Sequence, residues 1–115
     1  MPDSIVRAAS RRASRRQPAK RSTKITCQKG ALGLGRNLAH EVLDISQTGI
    51  RLVAREALEP GQGVVVTLQT FGHGRPRELA GVVVWCVPGA DGRFCAGVRF
   101  EKPLPYGELL GLTYS

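Results

Sequence analysis

From Thr23 to Phe100 the chain alternates short apolar runs with clusters of Gly, Pro, Asp and Asn. The runs are rich in β-branched residues, and the breaks fall about every ten residues, a spacing that suits strands and tight turns. Strands are predicted at Thr23–Gln28, Leu38–Leu43, Ile50–Ala54, Val64–Gln69, Glu78–Val87 and Phe94–Phe100. Gly-rich Lys29–Asn37, the turn Asp44–Gly49, Leu58–Gly61, Gly72–Pro76 and Pro88–Arg93 join them. A short amphipathic helix is expected after Pro105. Six or seven short strands without βαβ alternation indicate an all-β, antiparallel sheet closed or nearly closed on itself.

The last strand shows its two faces plainly. Phe94, Ala96, Val98 and Phe100 alternate with Cys95, Gly97 and Arg99, so the first set reads as core and the second as outer face. Gly97 leaves room on that face for something to approach. Hairpin parity puts Trp85 on the core side with Phe94 and Val98, and a bulge in the Pro88–Arg93 loop would turn it outward. The same hairpin would let Cys86 and Cys95 face each other.

Length adds a bound: 115 residues make one domain with one modest core. Charge changes the picture more. The chain carries +8 overall, but residues 1–22 hold seven basic side chains against Asp3 alone. The body, residues 23–115, holds ten basic and eight acidic ones. The chain therefore divides into a flexible basic N-terminal arm, 1–22, and a barrel domain, 23–115. Such an arm seeks an anion: a nucleotide, nucleic acid, an acidic surface or an acidic protein. Ile5, Val6, Ala8 and Ala9 can begin a short helix in which Arg12 and Arg16 stack at i, i+4. Those like charges repel unless an anion lies between them.

Cys27, Cys86 and Cys95 form no CxxC and no Cys/His cluster, which points to reduced thiols in a cytoplasmic protein and to no metal site. No apolar run reaches ~18 residues and the N-terminus has no secretory h-region, so no membrane association is expected.

Two motifs carry chemistry. Arg11-Arg12-Ala13-Ser14-Arg15-Arg16 offers overlapping RxxxR pairs, and guanidinium forks grip phosphate oxygens and the O6/N7 edge of guanine. Alone it reads equally as a solvated tail or a nonspecific nucleic-acid arm. The second motif is Asp44-x-Ser46-x-x-Gly49. It reads either as a plain turn, with Asp and Ser bonding their own backbone and Gly supplying positive φ, or as a binding turn. In the second case Asp44 and Ser46 point their oxygens to the surface between Ile45 and Ile50, and Gly49 lets a flat base approach the backbone.

With Trp85 and Gly97-Val98-Arg99-Phe100 following in order, the two motifs resemble the PilZ domain, the bacterial receptor module for cyclic di-GMP. The resemblance runs from about Arg11 to the C-terminus. It implies a small six-stranded antiparallel β-barrel of split-barrel type with a short C-terminal helix. It also implies an arm that folds over the ligand on the barrel's outer face. On that view Arg12/Arg16, or else Arg11/Arg15, hold phosphate and guanine, while Asp44, Ser46 and Gly49 meet guanine. Trp85, Gly97 and Arg99 are secondary candidates. The ligand often binds such domains as an intercalated, self-stacked dimer.

No nucleophile–base pair, carboxylate pair or metal set suggests catalysis, so no enzyme and no cofactor beyond the nucleotide ligand are expected. The expected role is a second-messenger receptor acting on a downstream protein partner. The alternative is a degenerate scaffold that does not bind cyclic di-GMP and whose arm binds nucleic acid or an acidic partner nonspecifically.

Overall fold

The structure is a computed structural model that describes residues 18, 23–30, 35–70 and 75–112. Six strands follow in chain order: β1 Thr23–Lys29, β2 Ala39–Ile45, β3 Gly49–Ala54, β4 Gly63–Thr70, β5 Arg77–Pro88 and β6 Phe94–Phe100. Among the described residues one helix, α1 Tyr106–Leu112, follows them. The sheet order is β1-β4-β5-β6-β3-β2, and every pair is antiparallel. The all-β fold is thus a nearly closed six-stranded barrel with one short C-terminal helix. What was expected of residues 1–22 falls outside the described residues, Pro18 apart.

Among the described residues, a backbone bond and the Asn37 side chain join the β1 and β2 edges and close the barrel. Leu38 N–H donates to the Cys27 carbonyl at 2.8 Å. The Asn37 carboxamide oxygen accepts the N–H groups of Cys27 and Ala39, both at 2.9 Å. An amide side chain here does the work of a missing strand partner, so the edges are not left as open donors.

Alternation builds the core. Ile50 faces Val98, Leu52 faces Ala96 and Ala54 faces Phe94, and the inward residues are fully or nearly fully buried. The segment after β6 turns under the barrel, where Leu104, Leu109 and Leu112 cap the core. At the other end Asp91 and Gly92 both have positive φ, and the Arg93 N–H donates to the Ala90 carbonyl at 3.0 Å. That is the backbone of a primed turn, which matches the twist of a tight hairpin.

One irregularity decides which face Trp85 occupies. Val83 pairs with Val98 but Trp85 pairs with Gly97, leaving Val84 as an extra residue. Leu79, Gly81 and Val83 point inward before this bulge, and Cys86 packs on the core after it. Simple parity would have sent Trp85 inward. The bulge turns it outward, and it lies inside β5 rather than in the hairpin loop. The same shift separates the cysteines: Cys86 lies opposite Ala96 on the core side, and Cys95 opposite Val87 on the outside. They do not face each other, contrary to the sequence expectation.

Cys27 lies fully buried on β1, and burial pushes its thiol from 9.0 up to about 11. An unfolded chain ionises this thiol near 9, whereas the folded one resists until about 11. The unfolded state therefore holds fewer protons in that window, and stability falls as pH rises through it. Thermal unfolding of the protein should show a steeper decline between pH 9 and 11 than that of Cys27→Ala. Parallel slopes would contradict it.

Candidate functional site

Register brings four outward positions into one row across four strands. Asp44 on β2 pairs with Arg51 on β3, Arg51 with Gly97 on β6, and Gly97 with Trp85 on β5. At its centre Gly97 has no side chain, and Trp85 fills the space. A Cβ built at Gly97 would stand 2.6 Å from Cε2 of the indole. The ring therefore lies against the Gly97 backbone, half-buried, with its remaining surface on the outer face.

Asp44 is not in the turn, as expected from sequence, but is a strand residue. It is only 8% exposed and accepts Arg51 Nε at 2.7 Å and a second bond from Arg51 Nη2 on the same oxygen. Those hydrogen bonds, with a smaller attraction between the charges, push the Arg51 guanidinium further above its ordinary pKa against the opposing effect of burial. Arg51 stays cationic and faces outward, and Asp44 fixes its direction.

Ser46 turns inward at 1% exposure. Its Oγ accepts the N–H groups of Thr48 and Gly49 at 3.3 and 3.1 Å and donates to the Gly49 carbonyl at 3.3 Å. Of the two readings the sequence left open, Ser46 follows the plain turn, bonding its own backbone, while Asp44 is turned to Arg51 on the neighbouring strand and not to its own turn. Gly49 also differs. It is not among the positive-φ residues; a Cβ there would meet the Val98 carbonyl oxygen at 2.5 Å. The glycine lets β3 lie close on β6.

The two intervening residues tie the turn to the C-terminal segment. Gln47 Nε2 donates to the Leu104 carbonyl at 3.1 Å, and Leu104 N–H returns a bond to the Gln47 carbonyl at 2.7 Å. Phe100 N–H donates to the Thr48 carbonyl at 2.8 Å. The turn is therefore rigid on the side facing the barrel.

Beside the indole lies a depression of about 230 Å³, lined by Thr48, Gly49, Val84, Trp85, Gly97, Val98 and Arg99. The fold thus gathers Gly49, Trp85, Gly97 and Arg99 at one place, with Asp44 and Ser46 supporting its edge. Arg11, Arg12, Arg15 and Arg16 lie outside the described residues. Sequence reading missed Arg51 as a site residue, although Ile45 and Ile50 as inward partners would have placed it opposite Asp44. Among the described residues no cluster of His, Cys, Asp or Glu could hold a metal. No described helix is long and apolar enough to cross a membrane.

The PilZ domain family model matches residues 10–111, which takes in both the arginine cluster and the turn. The chain belongs to the PilZ domain family. No curated protein matches it significantly. PilZ domains are ligand-binding and adaptor modules, and the family is one of cyclic di-GMP receptors in which degenerate members occur. In this PilZ domain the Asp-x-Ser-x-x-Gly motif spans the end of β2, the turn and the first residue of β3.

Proposed function

We propose that this PilZ domain is a non-enzymatic receptor for cyclic di-GMP that acts in trans on a protein partner, in the cytoplasm. The observation that carries the proposal is the outward Trp85 indole on Gly97, with Gly49 and Arg99 lining the same depression. An outward aromatic surface beside a shallow depression suits a flat base, and flanking guanidinium groups suit the phosphates and the guanine edge. Arg51, aimed by Asp44, adds a cation from the barrel. The arm closes over the nucleotide with Arg12 and Arg16 on phosphate. Arg11 and Arg15 are a surplus that favours a stacked pair of ligands.

Calorimetric titration with cyclic di-GMP at near-physiological salt, with GTP as control, tests this. Saturable and selective heat supports the receptor, and its stoichiometry separates one ligand from a stacked pair. No binding by the folded protein, with steeply salt-dependent DNA binding instead, would replace it with a degenerate scaffold and a nucleic-acid arm.

Gly97→Ala should displace the indole, because the added methyl has no room beneath the ring. A base–aromatic stack contributes about 1–3 kcal/mol, so affinity should fall about tenfold or more while Trp85 fluorescence shifts even without ligand. Unchanged affinity would remove Trp85 from the binding surface.

A further inference from the structure

A second depression, of about 460 Å³, lies against α1 and shares no lining residue with the one beside Trp85. Leu68 on β4 and Leu112 on α1, both buried, form its base. Arg75 and Arg77 stand exposed at its rim, with Pro76 between them. Arg77 pairs with Leu68 across β5 and β4, which places a cation beside the apolar base. Its Nε lies 3.4 Å from Glu108 Oε2 on α1. Arg75 makes no ion pair among the described residues. Two guanidinium groups against one carboxylate leave the rim with a net positive charge. The α1 wall is held in place from β1, where Thr23 Oγ1 donates to the Leu112 carbonyl at 3.1 Å. Gly111 completes that wall. A Cβ there would meet nothing within 4 Å, so no close contact calls for a glycine. Glycine weakens a helix relative to nearly every other residue, and its effect here is to keep the wall open.

We propose that this depression binds a small carboxylic acid with an apolar body, a second ligand distinct from the nucleotide. The inference goes beyond the receptor reading and does not rest on it. Size is the first argument. Small-molecule sites run from about 300 to 1,000 Å³ and combine apolar walls with a few placed polar groups. A protein partner covers about 20–30 residues a side, far more than line this depression. Chemistry is the second. The apolar base takes the hydrocarbon body, and the aliphatic stems of Arg75 and Arg77 extend it. The guanidinium of Arg75, without a described partner, meets the head group. Glu108 occupies Arg77 and repels further negative charge, so a single carboxylate suits the rim better than a multiply charged anion.

The full chain, isotope-labelled, is titrated with octanoate and followed by amide NMR, with octanol and butyrate as controls. Octanoate should shift the Leu68, Gly111 and Leu112 resonances saturably, with a Kd of about 1 mM or below. Octanol lacks the charge and should bind about fivefold more weakly. Butyrate lacks half the chain and should bind about tenfold more weakly or worse. Arg75→Gln should weaken octanoate about fivefold and leave octanol unchanged. Gly111→Phe should abolish binding of both while Tm holds or rises, since phenylalanine is the better helix former. Equal binding of octanoate and octanol would overturn the anion site. Shifts confined to Arg11–Arg16 or to the Trp85 depression would overturn the location, as would octanoate binding that survives Gly111→Phe. No saturation by about 10 mM would overturn the proposal outright. The titration contains no nucleotide, so its failure leaves the receptor reading as it stands.

Discussion

Arg12→Ala/Arg16→Ala should lose micromolar binding of cyclic di-GMP and unfold at the same temperature as the parent protein. Each guanidinium is proposed to make charge-assisted, bidentate contacts, and each such contact contributes on the order of 1.5–3 kcal/mol. Together the losses amount to roughly a hundred- to ten-thousandfold in affinity. The barrel should be indifferent, because its core cluster is assembled from residues between Ile25 and Leu112. Surface substitutions away from a core usually stay within about 0.5 kcal/mol. Arg11→Ala/Arg15→Ala is the internal comparison, and its effect should be smaller. Calorimetry and thermal unfolding on the same samples decide the matter. Normal binding by Arg12→Ala/Arg16→Ala would show that this pair does not hold the phosphates.

What could be read from sequence follows from what kind of signal each feature leaves. The six strands were legible because a half-buried strand must repeat every second residue, as Phe94, Ala96, Val98 and Phe100 do on β6. The face of Trp85 was not legible, because a single extra residue, Val84, reverses parity and nothing in Val83-Val84-Trp85 announces it. One unmarked residue moved the tryptophan from core to outer surface and separated Cys86 from Cys95. The Asp44–Gly49 motif was legible as a motif but not as geometry. Asp and Ser have the same appearance in sequence whether they bind a ligand or hold a turn. The outcome depends on Arg51, which lies opposite Asp44 only in the register adopted by β2 and β3.

That difference predicts opposite behaviour at two neighbouring residues. Ser46→Ala should lower stability by on the order of 2 kcal/mol, roughly 10 °C in Tm for a domain of this size. The buried Oγ accepts the Thr48 and Gly49 N–H groups, and an alanine methyl replaces an acceptor for both. A loosened turn also strains the bonds from Gln47 and Thr48 to Leu104 and Phe100, so the damage reaches the segment leading into α1. Nucleotide affinity would then fall indirectly. Arg51→Ala should weigh the other way, on affinity more than on stability. Its side chain is 46% exposed, but that of Asp44 is only 11% exposed and loses a charge-assisted partner, so Tm should fall by a few degrees, on the order of 1 kcal/mol. Affinity should fall about tenfold, because the barrel loses an outward cation from the binding row. Thermal unfolding and calorimetry of both variants separate scaffold from contact. If Ser46→Ala kept the parental Tm and lost only affinity, the hydroxyl would be a ligand contact after all, and the turn would be held by its backbone bonds to the C-terminal segment.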